Sequence, residues 1–382
     1  MKRFLPLLLV LVAALASCQK KGLSKTEAQQ TADRLLDEHM AAMKDSLTTE
    51  WRDSVLVNGP DSMKFTYFVY GDKPSGGRSL YISMHGGGGA PAAVNDKQWE
   101  NQKRLWKPAE GVYFVPRAPS NTWNLWHQEY MDGFVDKVIA GGVLFEDVDP
   151  NKVYIMGYSA GGDGTFQLAP RLADHWAAAT MMAGHPGDAQ IMSLRNLPFS
   201  IYMGGLDSAF NRNGFAREWK ANLDRLEKED PGGFVHDVHI FDDLGHWMER
   251  RDTISLPWMA SFTRNPLPEK VVWVQDDICR NRFYWLEVPS GGARQNDQVI
   301  AQYGEGKVDI LRADPQVIIV GLNDNMTDLD KPVCIVKGDK VIFRGKVPRT
   351  AENIAESIRG RNDRDYIFPV RLRIEGDNVT VL

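Results

Sequence analysis

The chain has 382 residues, 43% hydrophobic and 25% charged, the composition of a folded protein able to bury a sizeable core. Three cysteines in so long a chain exclude a disulfide-stapled miniprotein, and the apolar content excludes wholesale disorder. A formal charge of −5 and a pI near 5.9 lack the basic excess that grips a phosphate backbone, so nucleic acid is not an expected partner.

Lys2 and Arg3 precede an apolar run from Phe4 to Leu15, too short to span a bilayer, and small residues then lead to Cys18. This is the layout of a signal peptide over residues 1–17. Leu15-Ala16-Ser17-Cys18 resembles the lipobox of bacterial lipoproteins. The resemblance implies cleavage before Cys18 and acylation of that residue, a stable membrane anchor through several acyl chains. It implies a place in the bacterial cell envelope, periplasmic or surface-exposed, and Gln19 after the cysteine favours the outer membrane. No later segment is apolar for long enough to span a membrane.

Residues 18–60 comprise the anchor and a helical lead-in, with Ala28, Ala32, Leu35, Leu36, Met40 and Met43 at loosely helical spacing. Residues 61–264 change character. Ser79 to Met84, Gly111 to Val115, Val153 to Met156, Ala177 to Ala183, Phe199 to Met203 and Val235 to Phe241 read as strands. Between them Gly133 to Phe145, Gly162 to Ala173 and Phe215 to Glu229 carry helix-period apolar residues, which predicts βαβ units and a mostly parallel sheet flanked by helices. Pro266 and Pro268 mark a boundary. Residues 265–382 read as a smaller all-β, sandwich-like domain of about seven strands, interrupted by a helix at Ala351 to Arg359. Cys279 and Cys334 fall there, and two separate buried thiols are the expectation.

The strand Val153 to Met156 runs into Gly157-Tyr158-Ser159-Ala160-Gly161 and then a helix, the context of a G-x-S-x-G nucleophile elbow. A serine needs a positioned base. His246 follows the last strand of the region, and Asp207 ends the strand between the two, so Ser159, Asp207 and His246 occur in the order of nucleophile, acid and base. Asp188, Asp242 and Asp243 are rivals for the acid. His85-Gly86-Gly87-Gly88-Gly89 follows an early strand, which makes the Gly87 and Ala160 amides the candidate oxyanion donors and His85 a loop brace.

These motifs make residues 65–262 resemble an α/β-hydrolase, and within that superfamily the polyhydroxybutyrate depolymerase and feruloyl esterase kind of secreted esterase. The resemblance implies an acyl-enzyme mechanism without an organic cofactor, acting on a small-molecule or polymer-linked ester. A peptidase with the same residues, a carbohydrate-processing esterase and a non-catalytic surface-binding lipoprotein are the alternatives. Trp123, Trp126, His127 and Trp247 are candidate substrate-binding residues near strand ends, with Arg117 and His127 placed to meet an acidic group. No metal-site spacing joins His85, His127, His185 and His246, and Asn323 to Asp330 reads as a solvated acidic turn rather than a calcium loop.

Overall fold

A computed structural model describes residues 22–382, so the signal segment and Cys18 lie outside the described residues. The first helix, α1 (Lys25–Arg52), starts at a capping box: the Glu27 amide donates to Ser24 Oγ at 3.2 Å and the Ser24 amide to Glu27 Oε2 at 2.8 Å. Its Leu47 and Trp51 enter the main core, whereas Ala28, Ala32 and Leu36 pack on Ile354 and Ile358 near the C-terminus. The lead-in thus contacts both parts of the chain, not only the segment that follows it.

Eight strands form one sheet: β1 (Val55–Asn58), β2 (Asp61–Tyr70), β3 (Arg78–Met84), β4 (Gly111–Pro116), β5 (Val148–Tyr158), β6 (Ala178–Met182), β7 (Phe199–Gly204) and β8 (His236–Phe241). Their spatial order is β1-β2-β4-β3-β5-β6-β7-β8. From β4 to β8 every pair is parallel, and β1 and β2 add an antiparallel edge. β4, β6 and β7 are buried along their whole length because helices cover both faces. Those helices are α2 (Ala92–Gln102), α3 (Tyr130–Glu146), α4 (Ala160–Arg171), α5 (Arg212–Glu229) and the short α6 (Ser255–Ala260).

The mostly parallel sheet is the expected fold class. Sequence periodicity missed the β1–β2 hairpin and α2. β2 lies near the sheet edge with mixed exposure, and α2 buries only Asn95 and Gln102, so no apolar stripe marks it.

The C-terminal region holds ten strands where about seven were expected: β9 (Lys270–Val274), β10 (Arg282–Phe283), β11 (Leu286–Glu287), β12 (Gln298–Gly304), β13 (Lys307–Ala313), β14 (Val317–Leu322), β15 (Val333–Lys337), β16 (Lys340–Gly345), β17 (Val370–Glu375) and β18 (Asn378–Val381). They form two five-stranded sheets, and α7 (Ala351–Gly360) is the expected helix. The expected strand at Phe283 to Val288 is really a tight hairpin, β10 to β11, turning at Tyr284, whose φ is 54°.

One apolar core runs from the eight-stranded sheet into these two sheets. Buried ion pairs reinforce the junction. Arg264 donates to Asp363 at 2.6 Å and to the Asp174 carbonyl at 2.9 Å, and the Asp174 carboxylate accepts from the Tyr284 amide and from Arg361. Asp324 and Asp330 in the acidic turn both accept from the buried Arg349, so that turn is braced rather than merely solvated.

Candidate active site

The turn from β5 into α4 brings backbones into contact that no side chain could separate. A Cβ on Gly157 would lie 2.0 Å from the Gly161 carbonyl oxygen, and one on Gly161 would lie 2.1 Å from that of Met84. Ser159, between them, has φ 57° and ψ −119°, a conformation that a non-glycine residue holds only when its surroundings over-determine it. Here its amide donates to the Met182 carbonyl at 2.9 Å, and its own carbonyl accepts from Asp163 at 2.9 Å. Ser159 therefore stands at the carboxyl edge of the sheet, on the N-cap of α4.

Loops from two further strand ends reach the same edge. The loop after β8 brings His246 Nε2 to 3.0 Å from Ser159 Oγ, and the loop after β7 brings Asp207 Oδ2 to 2.6 Å from His246 Nδ1. Strand order and strand-end loops together decide the fold. The chain has the α/β-hydrolase fold.

The sequence matches no family model and no curated protein. Among solved structures, this chain is similar to a thermostable esterase at 18% identity, with 56% of this chain on 64% of that one and a TM-score of 0.40. It is likewise similar to a ferulic acid esterase at 17% identity, with 54% of this chain on 95% of that one and a TM-score of 0.41. An acetyl xylan esterase from Aspergillus awamori aligns at 12% identity, 54% on 97%, with a TM-score of 0.38.

Burial separates Asp207 from its rivals. Its carboxylate is almost wholly enclosed, and the Arg212 guanidinium lies 3.7 Å from Oδ1, the oxygen that does not meet the imidazole. Asp188 instead accepts from Gln167, Asp242 from Arg217 and Asp243 from Arg251. A fifth acid, Asp163 on α4, accepts from the His185 amide at 2.6 Å, and burial pushes its carboxyl up to about 6. Tyr158, just before the serine, donates to the His246 carbonyl at 2.5 Å and accepts from the Met248 amide, so the base-bearing loop is pinned to the elbow itself. Burial raises the Tyr158 phenol well above its usual range, which keeps this donor protonated.

The glycine-rich loop after β3 lies against Ser159, with a Cβ on Gly86 falling 3.2 Å from that of Ser159. Gly87 has φ 107°, and a Cβ there would meet Asn95 Oδ1 at 2.3 Å. That same oxygen accepts from the Gly88 amide at 2.8 Å, while Asn95 Nδ2 donates to the Ala90 carbonyl at 2.9 Å and to Asn121 Oδ1 at 3.0 Å. Asn95 is fully buried and ties the loop to α2. His85 braces the other side: Nδ1 donates to the Gly86 carbonyl at 2.6 Å, and Nε2 accepts from the Ala118 amide at 3.1 Å. Burial pushes His85 down to about 4, so the neutral ring this pattern requires is the stable one. The Ala160 amide is the first of α4 and has no acceptor within the helix.

Two expectations need correction. Trp126 does not line a cleft: it is fully buried, and its Nε1 donates to the His85 carbonyl at 2.8 Å. Arg117 is not free to meet an acidic substrate group, because Asp96, the Ala118 and Ser120 carbonyls and Asn121 consume its donors. His127 turns away as well. Its Nε2 is buried, and burial beside Arg171 pushes the ring down to about 4. Trp123 stays 71% exposed next to the glycine loop, and Trp247 is 50% exposed.

Trp247 lines a cavity of about 600 Å³ over Ser159, together with Gly86, Gly87, Tyr158 and His246. The rest of that wall comes from α2 and the turn after it: Gln98, Asn101, Gln102, Arg104 and Leu105. Sequence reading missed these residues because a polar helix carries no periodic signal. Asn and Gln following the glycine loop were the only available hint. Cys279 is exposed and Cys334 buried, both as free thiols. Among the described residues, no group of three or more His, Cys, Asp or Glu side chains is arranged to hold a metal ion.

Proposed function

We propose that this protein is a serine hydrolase that cleaves carboxylic esters through an acyl-enzyme. The observation that carries the reading is the continuous chain from Ser159 Oγ to His246 Nε2 at 3.0 Å and from His246 Nδ1 to Asp207 Oδ2 at 2.6 Å. As Ser159 attacks the ester carbonyl, His246 takes the hydroxyl proton on Nε2. The buried Asp207 accepts from Nδ1–H, holding the tautomer and stabilising the imidazolium. The Gly87 and Ala160 amides receive the negative charge that forms on the carbonyl oxygen, and His246 returns its proton to the departing alcohol. Water, deprotonated by His246, then releases the acid. Trp247 on the cavity wall and the exposed Trp123 beside the glycine loop offer apolar surface to the substrate.

Ser159→Ala should abolish turnover of 4-nitrophenyl butyrate and labelling by a fluorophosphonate probe while leaving the unfolding midpoint nearly unchanged. Retained turnover in that variant would refute the assignment. Matched anilides tested on the same preparation separate esterase from peptidase activity, since an esterase leaves them largely uncleaved.

We further propose that Cys18 carries a lipid anchor to the bacterial envelope, on the strength of its place after an apolar run that begins behind Lys2 and Arg3. Incorporation of an alkyne fatty acid that survives Cys18→Ala would refute it.

A further inference from the structure

We infer that Arg104 forms an anion subsite in the catalytic cleft, so that the ester cleaved carries a carboxylate, sulfate or phosphate on its acyl or its alcohol part; this rests on the hydrolase reading above. Arg104 lines the same cavity as Ser159, Gly86, Gly87 and His246. Apart from His246 it is the one charged residue in that lining, and no carboxylate is among the lining residues. The acids nearest in sequence are already taken: Glu100 accepts from Lys103 at 2.6 Å, Glu110 from the Ser79 hydroxyl at 2.5 Å, and Asp96 from Arg117 at 2.8 Å. Among the described residues no hydrogen bond or ion pair engages the Arg104 side chain. Gln98 and Asn101 of α2 line the same wall with side-chain amides that are also without protein partners among the described residues.

The physical case follows from what surrounds the charge. Arg104 is exposed, but it stands on the wall of a concave site where a bound substrate displaces water that would otherwise screen its charge. A guanidinium presents several N–H donors in a fixed fork, and the two neighbouring amides add donors on the same side, a set that suits an oxyanion rather than a neutral group. Trp247 and the half-buried Leu105 supply apolar surface for the remainder of the substrate. An anion there also complements the imidazolium that forms on His246 during attack. The other positive groups nearby do not compete, since Lys103 and Arg117 are already paired.

Two matched pairs of esters test this on the full-length protein. On the acyl side, mono-4-nitrophenyl glutarate is compared with 4-nitrophenyl pentanoate. On the alcohol side, the butyrate ester of 4-hydroxybenzoate is compared with that of methyl 4-hydroxybenzoate. In one pair kcat/KM for the anionic member should exceed that of the neutral member by about fivefold to thirtyfold at low salt, the range of a charge-assisted hydrogen bond at a partly exposed site. That ratio should fall toward one in Arg104→Gln, survive in part in Arg104→Lys, and shrink in 0.5 M salt, where the screening length is only about 4 Å. Whichever pair responds tells which side of the ester meets the arginine. Ratios of one or less in both pairs, or a ratio that Arg104→Gln leaves intact, would overturn the inference while sparing the hydrolase reading. Failure to turn over any of the four esters would overturn both.

Discussion

Replacing Asn95 by alanine tests whether the glycine loop is an oxyanion site held in place from behind. The side chain is fully buried, and truncation deletes its bonds to the Gly88 amide, the Ala90 carbonyl and Asn121 Oδ1. Asn121 Oδ1 keeps the Arg117 donor at 2.5 Å, so two groups rather than three are left unsatisfied. At about 1–3 kcal/mol for each buried orphan, and with water able to enter from the nearby cleft, the stability loss should be about 2–4 kcal/mol.

The catalytic cost of Asn95→Ala is separate. With Gly88 released the proposed Gly87 donor loses its support, and losing one oxyanion donor costs about 10²–10³ in kcat with little change in KM. Asn95→Asp keeps the acceptor for Gly88 but faces a carboxylate toward Ala90 and Asn121. It should retain more kcat than the alanine variant while still losing stability. Steady-state kinetics on 4-nitrophenyl butyrate and urea unfolding of the same samples supply both numbers. A cooperatively folded Asn95→Ala with kcat within about threefold of the parent would refute the reasoning.

Asp252 offers a pH test. The residue is 1% exposed, and burial pushes its carboxyl up to about 6 from 3.8, against the opposing pull of the Trp106 indole. Because the folded form holds its proton more tightly than the unfolded chain, this residue costs stability as pH rises from about 4 through 6, by at most about 3 kcal/mol above pH 7. Asp252→Asn should therefore gain about 1–3 kcal/mol relative to the parent between pH 4.5 and pH 8 in urea unfolding, and parallel pH dependences would refute it. Gly161→Ala should lose at least about 2 kcal/mol and most of its fluorophosphonate labelling, because the new methyl would overlap the Met84 carbonyl; a normal labelling rate would show that the crossing can relax.

Much of this site was legible in the chain because its tightest demands are local. The elbow must cross its own helix and β3 at backbone distance, so glycine stands at 157 and 161, and the residues say so without a structure. The same holds for the glycine loop after β3, and the alternation of short apolar runs with amphipathic stretches foretold the parallel sheet. Legibility failed where the outcome depended on neighbours distant in sequence. Trp126 and Arg117 looked like cleft residues from their place in a strand-end loop, yet one is packed beneath His85 and the other ties Asp96 to Asn121. Asn95, Gln98 and Arg104 left no periodic signal, since α2 and the turn after it are polar on nearly all sides and make sense only against the loop they support.

Sequence by itself determined the sharp turn at Ser159 and the kind of sheet it stands on, since each depends on steric conditions within a few residues. Tertiary structure alone decided which of several aspartates reaches His246, which tryptophans meet solvent, and which cation faces the cleft. Those choices depend on strand order and burial, which bring loops separated by dozens of residues to one edge and fix the partners each polar group can find.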